Sequence, residues 1–306
     1  MYDIVFGGAG PQRFPAYAGV LKAFRDRGHI PNKIDYQSGA RMPRMCGTSA
    51  GALILGLYSS GISVTKLEKI IADVDPTKFA SKNGWQFAKF GVRYGLGRAL
   101  SYLTGKEYEW AGPYLNANDK LHKFLLELTQ EKTFKECPGL FVIATNMTDS
   151  QEFMFSHFDT PDAPIATGIM ASIAIPFIFE GVTYKHHGRD LLLMDGGIRH
   201  NFPVDYFLQY DGVPIVGVNV KSMEKKLPLH HTFSQLSTFL IGNAISTKED
   251  ENIKDSQHVK LITIDDDTDG NVLEAMDFRS SSEKKQKWVD IGYEVSYSMI
   301  GGLETV

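Results

Sequence analysis

Cysteine is scarce: the 306 residues hold two, Cys46 and Cys137, too few for a disulfide framework, and Cys46 falls in an apolar stretch where a reduced, buried thiol is expected. There is no CxxC or His-x-His cluster. The adjacent pairs His186-His187 and His230-His231 would point to opposite sides of an extended strand, so no metal and no cofactor are expected. No apolar run approaches the roughly 20 residues of a bilayer-spanning helix. The sequence opens directly on an apolar segment, without a basic leader and small-residue cleavage site, which predicts no export by the general pathway and a cytoplasmic setting. The net charge of −4 comes without a long basic stripe, which argues against nucleic acid as a partner. Internal repeats, heptad seams and low-complexity tracts are missing too.

What is present is an ordinary globular composition, 43% hydrophobic and 22% charged, in a chain long enough for one large α/β domain over 1–306. Its most informative segment is Gly47 to Leu53, GTSAGAL, in which Ser49 stands between Gly47 and Gly51 in a G-x-S-x-G arrangement. A serine becomes reactive when a sharp strand-to-helix turn holds it exposed, and such a turn leaves no room for side chains on its neighbours. The small and apolar residues Ala50 to Tyr58 read as a buried helix following that turn. By itself the pattern also fits a Gly/Ser-rich turn that merely opens a helix.

Two further glycine-bearing strand ends complete the set. The run Tyr2 to Phe6 leads into Gly7-Gly8-Ala9-Gly10-Pro11-Gln12-Arg13. Convergent backbone N–H groups there could hold an oxyanion or a phosphate, with the Arg13 guanidinium biasing the loop toward anions. A dinucleotide loop competes, although the G-x-G-x-x-G spacing is missing and Pro11 removes a donor; a plain turn is the third reading. Downstream, Leu191-Leu192-Leu193-Met194 reads as a buried strand ending in Asp195-Gly196-Gly197. Asp195 is a candidate base for Ser49 if the two strand ends meet, and a turn-forming Asp-Gly otherwise.

The order of these pieces, with ATNMTDSQEFMFS, ASIAIPFIFEGV and LMDGGIRHNFPVD between and after them, resembles a patatin-like phospholipase from about Ile4 to Asp205. The resemblance implies a three-layer α/β/α sandwich on a mostly parallel sheet. It also implies a lipid acyl hydrolase, of phospholipase A or lysophospholipase type, that cleaves fatty-acyl esters with Ser49 as nucleophile and Asp195 of the DGG motif (Gly196, Gly197) as base. The oxyanion donors would come from Gly7, Gly8, Ala9 and Gly10. The loop departs from the family where Ala9, Pro11 and Gln12 interrupt its glycines and Phe14 follows Arg13. The implied partners are a phospholipid or other acyl lipid, a membrane surface visited peripherally, and an activating protein or small molecule. Two alternatives accompany this reading: a Ser-His-Asp esterase or acyltransferase using His157, His187 or His200, and a lipid-binding module with little turnover.

Along the chain, Val64 to Val74 is expected as a surface helix capped near Ser63. Residues 75–118 mix Trp85, Trp110 and other aromatics with lysines and arginines, as a lid or a membrane-contact insertion would. Further expectations are a helix over Leu115–Leu128, strands at Phe141–Ala144 and Glu152–Ser156 forming a hairpin, and a helix over Ile169–Ile175 stopped by Pro176. Strands over Pro214–Val220 and Ile262–Ile264, a polar helix around Lys248–Asn252 and a closing helix over Ser282–Ile300 follow. Asp265-Asp266-Asp267 lacks the spacing of a calcium loop and reads as a turn.

Overall fold

The computed structural model describes residues 2–74, 119–176, 178–209, 213–222, 258–266 and 280–302. The aromatic and basic segment 75–118 and the polar helix expected around Lys248–Asn252 lie outside these residues, as does Asp267.

Most strands form where the sequence predicts apolar runs. β1 (Asp3–Phe6), β2 (Met45–Thr48), β3 (Leu140–Asn146), β4 (Gln151–Phe155), β5 (Val182–His186), β6 (Arg189–Asp195), β7 (Ile215–Ser222) and β8 (Val259–Asp266) share one sheet in the order β5-β6-β3-β2-β1-β7-β8, with β4 also paired to β3. The strands β3, β2, β1, β7 and β8 are parallel to one another, while β4, β5 and β6 pair antiparallel to their neighbours. β1, β2 and β3 are buried along their whole length, as strands covered on both faces must be.

Residue alternation sorts the core into two layers. Ile4, Phe6, Met45, Val142 and Ala144 face one side, where α2 (Pro15–Asp26), α3 (Ala50–Ser59), α4 (Val64–Asp73) and α6 (Ile165–Ser172) pack together with α8 (Ser282–Met299). Val5, Cys46, Phe141 and Ile143 face the other, which is closed by Phe202, Val204 and Phe207 on and before the short helix α7 (Asp205–Leu208). This is the expected sandwich, with a thin second layer among the described residues. α1 (Gly10–Arg13) and α5 (Asp119–Thr129) complete the helices used below.

The topology holds one relationship that no local pattern reveals. β2 pairs with β3 from Leu140 to Ile143, and β6 pairs with it from Ala144 to Asn146. β4 overlaps both stretches, so it must lie on the opposite edge. β2 and β6 therefore run toward each other along a single edge of β3 and stop with Thr48 opposite Ile143 and Asp195 opposite Ala144.

Several boundaries differ from the sequence expectation. The helix expected at 169–175 is α6, which starts after Pro164 and ends at Ser172. It stops well short of Pro176 because Ala174 must offer its carbonyl to the Asp195 N–H, 3.0 Å away. β6 is not wholly buried: Leu191 and Leu193 point inward, whereas Leu192 is 44% exposed. The strand before the elbow, β2, is short and pairs regularly on both edges. β5 was not expected. His187 is not a strand residue at all: with Gly188 it forms the two-residue turn between β5 and β6, both at positive φ (47° and 77°), which brings its ring to 3.9 Å from that of His186 instead of pointing away. Among the described residues no group of three or more His, Cys, Asp or Glu side chains is gathered as a metal would require.

Candidate active site

Ser49 sits at the junction of β2 and α3 with φ 51° and ψ −116°, a backbone conformation that costs about 1–3 kcal/mol and survives only where its surroundings enforce it. The glycines around it are spatial necessities. A Cβ on Gly47 would lie 2.6 Å from the Ala52 nitrogen, and one on Gly51 would lie 2.7 Å from the Phe6 carbonyl carbon. The strain is held by Ser172 of α6, whose hydroxyl accepts the Ser49 N–H at 2.8 Å and donates to the Ile143 carbonyl at 2.5 Å.

The Ser49 hydroxyl donates to Asp195 Oδ2 at 2.7 Å, and the second carboxylate oxygen accepts the Gly197 N–H at 2.8 Å. The Asp195 backbone is tied as tightly, its N–H to Ala174 and its carbonyl to the Thr145 hydroxyl at 2.8 Å. Gly196 allows the turn to lie against Ile143: a Cβ there would sit 2.8 Å from that residue's carbonyl carbon. Asp195 is completely buried. That burial pushes its carboxyl up to about 6, against the opposing effect of the Ser49 and Gly197 hydrogen bonds. The result is a carboxylate that is ionised at neutral pH yet basic enough to take a hydroxyl proton.

The glycine-rich loop lies beside this pair, with a Cβ on Gly8 falling 3.4 Å from that of Ser49. Its donors divide differently from expectation. Gly7 gives its N–H to Val218 and Gly8 to the Asn201 carbonyl, both at 3.1 Å, while the Gly7 carbonyl accepts the Tyr17 hydroxyl at 2.7 Å. Gly7 and Gly8 therefore fasten the loop and are not spare donors. The N–H groups of Ala9 and Gly10 donate to no acceptor among the described residues and are the loop's available pair. Arg13 ends α1 and is only 8% exposed, which withdraws it from the surface where a lipid head group would meet it.

The histidines considered as bases stand elsewhere. The His200 ring is bonded to Glu152 and Asp205, His187 lies in the β5–β6 turn, and the His157 ring lies tilted against that of Phe158 at a ring separation of 3.7 Å. Among the described residues the Ser49 hydroxyl has Asp195 as its partner. Cys46 is buried under the elbow, with its thiol pushed well up by burial and by the charges of Glu152 and Asp205, which removes it as a nucleophile.

Residues 4–208 match the model of the patatin-like phospholipase family, more than half of the sequence. The chain belongs to that family. Membership supports lipid hydrolase chemistry for this fold. Over 95% of its length the chain is 24% identical to the uncharacterised protein YqhO of Bacillus subtilis, covering 94% of that protein. Over 91 residues it is 34% identical to the "Probable lipid hydrolase 463L" of invertebrate iridescent virus 6, covering 30% of that protein. Among solved structures, VipD of Legionella pneumophila superposes with a TM-score of 0.55 at 16% identity over 98% of this chain and 66% of that one. ExoU of Pseudomonas aeruginosa, in complex with SpcU, superposes with a TM-score of 0.51 at 15% identity over 98% of this chain. Both superpositions establish the fold. The chain spans 66% and 51% of the lengths of these two proteins.

Proposed function

We propose that this protein is a serine acyl hydrolase that cleaves fatty-acyl esters of phospholipids or lysophospholipids with a Ser49–Asp195 dyad. The observation that carries the proposal is the 2.7 Å hydrogen bond from Ser49 to a fully buried Asp195. Ser49 Oγ attacks the ester carbonyl as its proton passes to Asp195 Oδ2. The N–H groups of Ala9 and Gly10, joined by that of Ala50 at the start of α3, stabilise the negative charge on the former carbonyl oxygen. Collapse expels the alcohol of the lipid, which takes the proton from Asp195 and leaves an acyl-serine. Water then attacks the acyl-serine, gives a proton to Asp195 and releases the fatty acid, and Ser49 recovers its proton.

The lipid surface is visited peripherally, and no helix among the described residues is long and apolar enough to cross a membrane.

The test is fatty-acid release from mixed phospholipid vesicles by wild type, Ser49→Ala and Asp195→Asn, beside covalent labelling with a lipid-like fluorophosphonate. Both variants are expected to lose release by roughly a thousandfold or more, and Ser49→Ala to lose labelling altogether. Release that survives in Ser49→Ala would refute the dyad. Retained lipid binding with neither labelling nor release in the wild type would favour a binding module instead.

A further inference from the structure

A second group of charged side chains is packed against the loops that carry the dyad, with His200 and Glu152 half-buried and Asp205 exposed. The His200 ring is held at both ends, Nδ1 lying 2.5 Å from Glu152 Oε2 and Nε2 2.9 Å from Asp205 Oδ1. Tyr206 donates its hydroxyl to the other Glu152 oxygen at 2.6 Å. Glu152 belongs to β4, whereas Asp205 and Tyr206 open α7, so the ring joins an edge strand to the thin second layer. The peptide of His200 does something different. Its N–H donates to the Gly196 carbonyl at 2.9 Å, and its carbonyl accepts the Thr48 hydroxyl at 3.0 Å. Gly196 directly follows Asp195 and Thr48 directly precedes Ser49. One residue thus ties the nucleophile's strand to the base's turn.

A ring flanked by carboxylates on both nitrogens donates at both only as an imidazolium; a neutral ring would turn a lone pair toward one of them. We propose that His200 is a positioning residue for the dyad: its imidazolium, clamped between Glu152 and Asp205, holds the peptide that sets the separation of Ser49 from Asp195. The proposal rests on the dyad reading and adds to it. A general-base role is a poor fit, because both ring nitrogens are already engaged by carboxylates. Burial works against the charge on His200, but the hydrogen bonds and charges of Asp205 and Glu152 outweigh it and hold the imidazolium up to about 9. Among the described residues the other titratable groups facing the cluster are Tyr206 on α7 and Cys46 on β2, both pushed up first by burial and then by these same carboxylates, so both are neutral over the range in which His200 titrates.

The experiment is the pH dependence of kcat and KM for fatty-acid release, with Ser49 labelling rates in parallel, for wild type, His200→Gln, Glu152→Gln and Ser49→Ala. Thermal melts at each pH separate loss of activity from unfolding. In the wild type an alkaline fall is expected near pH 9. Glu152→Gln removes one of the two carboxylates and is expected to move that fall to lower pH by about half a unit or more. His200→Gln is expected to lower kcat roughly 10- to 100-fold with KM within about twofold, and to abolish the alkaline fall. A ¹³C NMR titration of the His200 ring, performed in Ser49→Ala, is expected to follow the same midpoints without any turnover. An unshifted fall in Glu152→Gln, or full kcat in His200→Gln, overturns the clamp while leaving the dyad intact. His200→Gln as inactive as Ser49→Ala would mean that the ring reacts directly, which also overturns the positioning role. Release that survives in Ser49→Ala, or a wild type that does not label, removes the dyad and the clamp together.

Discussion

The N–H of Ser49 donates to the hydroxyl of Ser172, and that hydroxyl donates onward to the carbonyl of Ile143. A single buried side chain therefore satisfies a strained peptide and a strand carbonyl at once. Ser172→Ala leaves a donor and an acceptor unpaired, which costs about 1–3 kcal/mol. The expected outcome is that loss of stability in urea denaturation, together with a fall of at least about tenfold in the rate of Ser49 labelling as the elbow relaxes. Labelling at the wild-type rate would show that the elbow keeps its shape without Ser172.

Asp195 accepts a proton only when ionised, and its carboxyl is raised to about 6 by burial. Release and labelling should therefore rise with pH through a midpoint near 6, falling about tenfold per unit below it. An acid limb near pH 4 would contradict a dry, buried base.

The same shift acts on stability with a definite sign. The folded state holds the Asp195 proton more tightly than the unfolded chain does, so the wild type loses stability as pH rises from about 4 through about 6. Asp195→Asn does not titrate there. The variant should melt higher than wild type at pH 7–8, by up to about 2–3 kcal/mol, with the gain fading toward pH 4. A variant less stable than wild type at pH 8 would mean that the Ser49 and Gly197 bonds outweigh the buried charge.

At Gly51 the neighbour is backbone that cannot move aside, the carbonyl of Phe6 in β1. Gly51→Ala should lower stability by about 2–4 kcal/mol or prevent folding. Gly302→Ala, where nothing lies within 4 Å, serves as the control and should change it by less than about 0.5 kcal/mol.

The sequence is most informative where chemistry and local geometry coincide. GTSAGAL places Ser49 because its glycines are needed within one turn, and Ser63 is legible as a helix cap because its partner, the Lys66 N–H, lies three residues on. Leu191 to Asp195 reads as a strand ending in a carboxylate for the same reason. Features that depend on distant partners are silent. Nothing in Gly7-Gly8-Ala9-Gly10 says which amides Val218 and Asn201 will occupy. Ser172 looks like one more small residue, and His200 looks like a spare base until Glu152 and Asp205 arrive on other elements. β5 gives a weak apolar signal because it forms the sheet edge and alternates half-buried with exposed polar positions, Thr183 and Lys185.

The end-to-end meeting of β2 and β6 along β3 has a consequence for how the protein comes into being. Ser49 and Asp195 stand 146 positions apart in the chain, and their separation is measured by two consecutive residues of a third strand. A ribosome displaying GTSAGAL displays an unremarkable alcohol, and a chain that has lost β6 reverts to one. In the proposed hydrolase, reactivity is a property of the finished sheet, so membranes near a half-made or unravelling copy are spared its chemistry.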